Sequence, residues 1–386
     1  MCYASLHYEH FPNNRPIPAH VLQNGNRLLR SLGILISYFL FFFWLGNHMR
    51  EAWVDYAKGI GIILVVFGHV NRGLYSAGIH LSESFYQLTD SVIYSFHMPL
   101  FFFLSGLFFV QSLDRKGKNR FLISKIDTIV YPYIIWSLLQ GTVEIVLSRY
   151  TNNSASLKDL IGVFTHPRAQ FWFLYALFMV FVLATLLYNK NKFNYILPAL
   201  IIISAGLYIY QDNLTKAFHF GYITSFMIFF LLGALAIHYS AAIAKIGIAS
   251  SLAAMCTFVL IEWVFHGYLG MTYTDYGLYS MILAITAITF IVCLSVLLAK
   301  ADISWLRRLG ELSMVIYLMH ILAASGLRIV LVKLLHVNNW SAHIIVGTLF
   351  GLIAPMIAYY FIQRFHLNFL LERPRFHGAH HKEKTF

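Results

Sequence analysis

The chain has 386 residues, of which 59% are hydrophobic and only 11% charged, with a mean hydropathy of +0.67. Soluble domains carry about 25% charged residues, so a soluble enzyme is excluded and an integral membrane protein remains. A net charge of +12 would suggest nucleic acid in a soluble chain. Here Lys and Arg stand between apolar runs, where they set topology and meet anionic lipid or an anionic cofactor, so no nucleic-acid partner is expected.

Residues 1–48 come first and fit no span. Their apolar stretch 31–46 is short for a crossing and follows Arg15, Arg27 and Arg30, so a crossing would leave a basic segment outside. It ends without a small-x-small site, which argues against a signal peptide. We expect Met49 to be the physiological start and 1–48 to be upstream sequence; an interfacial or eleventh helix is the alternative. Residues 49–371 read as one all-α polytopic membrane domain, and 372–386 as a polar cytoplasmic tail. At about 20 residues per crossing, the apolar runs predict ten transmembrane helices: 57–73, 92–111, 126–148, 171–188, 194–210, 221–239, 246–265, 276–299, 312–333 and 341–363. Cys2, Cys256 and Cys293 give neither a disulfide framework nor metal spacing.

Alternate loops differ sharply in basic residues. One set, with the start and the tail, holds Arg50, Lys58, Arg115, Lys116, Lys118, Arg120, Lys125, Lys190, Lys192, Lys245, Lys300, Arg307, Arg308, Arg364, Arg373, Arg375, Lys382 and Lys384. The other holds Arg72, Arg149, Lys158, Arg168, Lys216 and Lys333, a tally of 18 against 6. By the positive-inside rule both ends of the core are cytoplasmic. Lys58 then faces the cytoplasm and His69 the outer half of the first span.

Ionisable residues inside a span are expensive and mark candidate function. Residues 56–70 form a hydrophobic run that carries Lys58 near its start and His69 near its end. On a helix these two lie about 16 Å apart along the axis and within about 20° of one another, with Asp55 within about 60° of both. This layout suits catalysis or transport.

In the second span, His97 precedes Pro99 among apolar neighbours, which favours a place in a cavity, while Ser105 and Gly106 would let another helix approach. Arg115, Lys116 and Lys118 read as topology signals. Arg120 and Lys125 run into the third span, where they could pair with phosphates at a cavity mouth. Glu144 and Glu262 lie within or near spans, either buried and protonated or facing a polar cavity. Trp172 opens the fourth span as an interfacial aromatic or as a platform for the apolar face of a sugar. Ser313, Tyr317 and His320 share one face of the ninth span, and such a stripe faces protein or water rather than lipid. The His-rich tail reads as solvated. No Gly-x-Ser-x-Gly elbow, Walker loop or His-Glu-x-x-His occurs, no metal is expected, and no inverted repeat with paired broken helices supports a secondary transporter.

The motifs Asp55-x-x-Lys58-Gly59 with Gly68-His69, Phe96-His-Met-Pro-Leu-Phe-Phe-Phe-Leu-Ser-Gly106, the basic run into Pro132-Tyr133 and Trp136, Trp172-Phe-Leu, and Leu309-Gly-x-x-Ser313-x-x-x-Tyr317-x-x-His320 occur in that order. Together they resemble the acyltransferase-3 family of multipass membrane O-acyltransferases, over about 50 to 363, and within it the fucose 4-O-acetylase-like branch. The resemblance implies ten helices in a bacterial inner membrane. It also implies a short acyl group, acetyl first, taken from cytoplasmic acyl-CoA to a hydroxyl of a cell-envelope glycan or lipid-linked sugar. The family's functional histidine falls on His69, and its basic residues for CoA on Lys58 and, in a more degenerate part of the motif, on Arg120 and Lys125. Lysine at 58 replaces the usual arginine and loosens a bidentate role there.

A histidine, with an ordinary pKa of about 6.5, can take the proton of a sugar hydroxyl as it attacks a thioester; a covalent acyl-histidine is the other route. Asp55 is too far along the helix to touch His69, so within the catalytic set we expect it to pair with Lys58 or another base at the CoA entrance. His97, Glu144, Trp172, Tyr317 and His320 are the candidates for acceptor binding. The competing reading is a proton-coupled transporter or flippase that uses His69, His97 and Glu144 as a relay.

Overall fold

Inside a bilayer no water is available to backbone N–H and C=O groups, so a chain this apolar must satisfy them within helices. The computed structural model describes residues 52–80, 82–147, 162–164, 166–214 and 220–374. Chain contacts divide the protein into residues 1–49 and 50–386. The 1–48 extension, the start at Met49, most of the tail and Arg50, Arg149, Lys158, Lys216, Arg375, Lys382 and Lys384 lie outside the described residues.

Nine helices long and apolar enough to cross a membrane occur among the described residues: α1 (Ala52–Ser76), α2 (Glu83–Lys116), α3 (Lys118–Val146), α4 (Ala169–Leu187), α6 (Phe220–Ile243), α7 (Ile248–Tyr268), α8 (Leu278–Lys300), α9 (Ser313–Lys333) and α10 (Trp340–Arg364). A shorter apolar helix, α5 (Phe193–Ile209), completes the ten predicted spans. No strand occurs among the described residues. The protein is an all-α polytopic membrane protein.

Deviations from ideal helix follow local chemistry. The α2 helix breaks at Ser95–Phe96, so that Pro99 falls in the first turn of the segment His97–Leu107, where its missing N–H costs nothing. Gly117, at φ +75°, makes the turn into α3, and a π-helical turn at Ile126–Val130 precedes Pro132. The short amphipathic helix Ser304–Glu311 lies before α9; Gly59 meets Leu306 and Gly310 meets Asp55 so closely that neither glycine could carry a methyl group without displacing backbone. Two of the sequence motifs therefore pack directly on each other.

α1 buries Ile62, Val65, Val66 and Val70 at helical spacing. α2 and α6 are in backbone contact at Gly106 and Gly233, the close approach the Ser105-Gly106 pair suggested. α7 turns Leu252, Val259, Leu260 and Trp263 outward, as a lipid-facing helix would. A short 3₁₀ turn (Gly162–Phe164) precedes α4, whose own first turn (Ala169–Phe171) is also 3₁₀; Val163 is fully buried, and its carbonyl accepts from the mid-helix Tyr133 hydroxyl at 2.5 Å. Irregular backbone at membrane depth is tolerated where protein satisfies it.

Candidate active site

Two cavities open toward opposite ends of the bundle. Cavity one, about 660 Å³, is lined by the start of α1 (Lys58, Ile62), the second half of α2, the first half and middle of α4 (Phe173, Leu177, Phe181), the starts of α3 and α9, and the end of α10. Cavity two, about 390 Å³, is lined by the end of α1 (His69, Arg72), the ends of α3 and α9, and the starts of α4 and α10. The ends of α1, α3, α9 and α10 divide between the two cavities as alternating crossings require. Both volumes lie in the range of small-molecule sites.

Cavity one is apolar-walled, with cations on it. Lys58 Nζ lies 3.1 Å from Asp55, the pairing expected of that aspartate. Lys125 lines the cavity with its ammonium 4.0 Å from the ring centre of Phe181 and 5.2 Å from that of Phe121, a cation–π arrangement. Arg120 is exposed and lines neither cavity; one and a half turns separate it from Lys125, so the two cannot share a face.

His69 is half-buried at the wall of cavity two, and neither ring nitrogen has a hydrogen-bond partner among the described residues. Its ring centre lies 5.1 Å from that of His320, which in turn is 6.0 Å from that of Tyr317. His320 is fully buried, and its Nδ1 donates to the Tyr317 carbonyl at 2.8 Å. In the neutral ring that leaves Nε2 as an acceptor, and Nε2 is buried without a partner. Tyr317 lines cavity one and donates to the Gln170 carbonyl. Tyr317, His320 and His69 thus form a short row from one cavity to the other.

Gln170 sits in the partition. Its side-chain amide pairs with that of Gln140 at 2.7 Å; Gln140 donates to Glu144 at 2.9 Å, and Arg168 pairs with Glu144 at 2.7 Å. Glu144 therefore does line a polar cavity, as a partnered carboxylate. Replacing Tyr317 by Phe is expected to strand the Gln170 carbonyl and lower stability by about 1–3 kcal/mol, read as a fall in thermal unfolding midpoint.

His97 and Trp172 line neither cavity. His97 is buried, donates from Nδ1 to the Ile93 carbonyl at 2.6 Å and abuts the Tyr94 ring. Trp172 stacks on Tyr222 and Phe226 of α6. The aromatic run that opens α4 offers several faces, and packing against α6 takes this one.

Sequence reasoning passed over several residues. Arg328 escaped the loop tally because it lies inside α9, yet it lines cavity two and donates to the Gly73 carbonyl; a lone arginine within an apolar run was the available signal. Gln140 and Gln170 carried no signal, being neutral and far apart in the chain. Arg72 pairs with Asp90 through two bonds of 2.6 and 2.7 Å and lies over the Tyr94 ring. Beyond it, Ser91 Oγ lies 2.8 Å from His266 Nε2, and His266 Nδ1 lies 2.8 Å from Glu262. Ser91 is buried, lines neither cavity and also accepts from the Tyr273 backbone N–H, so this cluster ties α2, α7 and the chain after α7 together. No group of three metal-ligating side chains occurs among the described residues.

These features define a membrane-embedded site between two opposed cavities with an unpartnered imidazole at its centre. Residues 51–360 match the family described as "Acyltransferase domain", and the chain belongs to that acyltransferase family. Among curated proteins it is similar to the nodulation protein NolL of Mesorhizobium japonicum, 30% identical over 158 residues (39% of each chain). It is also similar to the NolL of Sinorhizobium fredii, 29% identical over 149 residues (36% of this chain, 37% of that one). The aligned region thus spans well under half the length of these relatives. No solved structure matches the chain.

Proposed function

We propose that this acyltransferase moves an acetyl or other short acyl group from cytoplasmic acyl-CoA, held in cavity one, to a hydroxyl of a cell-envelope glycan or lipid-linked sugar in cavity two. The observation that carries the reading is the row Tyr317–His320–His69 spanning from one cavity to the other, with both nitrogens of His69 unpartnered among the described residues. The excess of basic residues on the Lys58 side supports a cytoplasmic placement of that face, and the family resemblance implies a bacterial inner membrane.

The donor fits cavity one chemically. Lys125, and Lys58 beside Asp55, supply cations for CoA phosphates, and the apolar wall suits a pantetheine arm and acyl chain. In the reaction the acceptor oxygen attacks the thioester carbonyl as His69 takes its proton. The C–S bond then breaks, and the proton returns to the departing thiolate. His320, pinned through Nδ1, leaves a bare Nε2 with its ring beside that of His69.

A transport reading needs a relay through His69, His97 and Glu144, but His97 lines neither cavity and Glu144 is committed to Arg168. The test of donor placement is kinetic, with purified protein and labelled acetyl-CoA. Lys125→Met is expected to raise KM for acetyl-CoA about tenfold, the loss of one charge-assisted contact, with kcat within a few-fold. An unchanged KM would remove CoA from cavity one, and a wild-type protein that never releases CoA would overturn the enzyme reading altogether.

A further inference from the structure

Three guanidinium groups and one carboxylate line cavity two, alongside His69 and His343. Arg72 is matched by Asp90 just behind it, and Arg168 by Glu144. Arg328 is matched by neither, and no carboxylate lies within ion-pairing distance of it among the described residues. Its one hydrogen-bond acceptor among the described residues is the Gly73 carbonyl, reached from Nη1, so Nη2 and Nε keep donor capacity beside the cavity that Arg328 lines.

A bland role would be snorkelling, in which the side chain runs along its own helix to the membrane surface. Arg328 stands five residues before the end of α9, close enough for that. It instead reaches across to α1 and holds its charge, half-buried, at the cavity wall. A charge held inside a membrane domain without a counter-charge calls for one from outside the fold. The anchor also fixes where that counter-charge would sit. Gly73 is one helical turn beyond His69, about 6 Å further out and on nearly the same face, a separation one sugar residue can bridge.

We propose that Arg328 is the anion-binding residue of the acceptor cavity: the acceptor carries a carboxylate or phosphate that pairs with this guanidinium and so presents a hydroxyl to His69. This rests on the reading of cavity two as the acceptor site, and it narrows that reading from glycans in general to acidic or phosphate-linked ones. A guanidinium suits such a group because its planar fork matches both oxyanions.

The test compares octyl glucuronide with its neutral twin, octyl glucoside, as ligands of the purified full chain in phosphatidylcholine nanodiscs. Binding is followed by thermophoresis. Wild type is expected to prefer the glucuronide about tenfold or more, the contribution of one charge-assisted contact. Arg328→Gln should erase the preference and Arg328→Lys keep part of it, with thermal midpoint and elution profile checking that each variant is folded. Should Arg328→Gln not fold, the wild-type preference and its decline with salt still decide the matter. Equal affinity for the two octyl sugars in wild type overturns the proposal, as does a preference that survives in Arg328→Gln. So does Arg328-dependent stabilisation by phosphatidylglycerol nanodiscs without any sugar preference, which would assign the arginine to a lipid headgroup. Acetyl-CoA turnover and its dependence on His69 are read separately, so failure here leaves the acyl-transfer reading standing, and the converse holds.

Discussion

Replacing His69 by alanine is expected to abolish acyl transfer while the chain remains folded and inserted. Loss of a general base costs typically about 10²–10⁴-fold in rate, and in a cell that brings an envelope modification below detection. The fold should survive because His69 is half-buried at a cavity wall and gives up no hydrogen bond among the described residues when it is removed; what it loses is an edge contact with Tyr94 and a tilted ring contact with His320. The measurement is the O-acetyl content of purified envelope polysaccharide by proton NMR. A deletion strain would carry either wild type or His69→Ala at matched membrane abundance. A defined acetyl signal should vanish in the variant alone, and the shifted ring proton would name the hydroxyl. Equal acetylation in wild type, variant and deletion strains would sink the assignment of acetyl transfer to this chain.

The second large effect is on stability and lies far from the chemistry. Gly106 of α2 and Gly233 of α6 face each other so that a methyl group on the first would overlap the Phe230 carbonyl and one on the second the Phe103 carbonyl. The obstructing atoms are helical backbone, which cannot rotate aside as a side chain would. Gly106→Ala or Gly233→Ala is therefore expected to cost about 3 kcal/mol, at the upper end for overpacking. The measurement is the unfolding midpoint in detergent; the double variant should lose less than the sum, because the first substitution already forces the helices apart. Gly206, with open space around it, serves as the control: its alanine variant should be near neutral or slightly stabilising, since alanine is the better helix former. A wild-type midpoint in Gly106→Ala would mean that α2 and α6 do not meet there.

The ten spans were legible because length and apolarity alone select them, and even α5, the shortest at 17 residues, stood out between Lys192 and Tyr210. The eleven-residue spacing put Lys58 and His69 on one face but at different depths, where the structure has them at different cavities, and the local pairing of Asp55 with Lys58 followed from a three-residue spacing. What the sequence hid was tertiary. Trp172 and His97 look like cavity residues from their neighbours, but which face a helix turns inward depends on partners such as Tyr222 and Phe226, distant in the chain. Arg120 and Lys125 look alike in a basic run, and only helical phase separates the exposed one from the one over Phe181. Gln140 and Gln170 become a pair only when the chain after α3 folds back into the bundle.

That returning segment sets a second requirement on the protein. A bilayer that holds a potential charges about 2.3 kcal/mol for each elementary charge moved per 100 mV, and two cavities hollowed from opposite faces leave little insulation between them. The Gln140–Gln170 amide pair and the Tyr317 contact to the Gln170 carbonyl stand between residues of the two cavities. Whatever passes between the cavities must do so without opening a path for ions. A substitution that loosens this partition is therefore expected to raise ion leakage through the protein, a cost separate from any effect on acyl transfer.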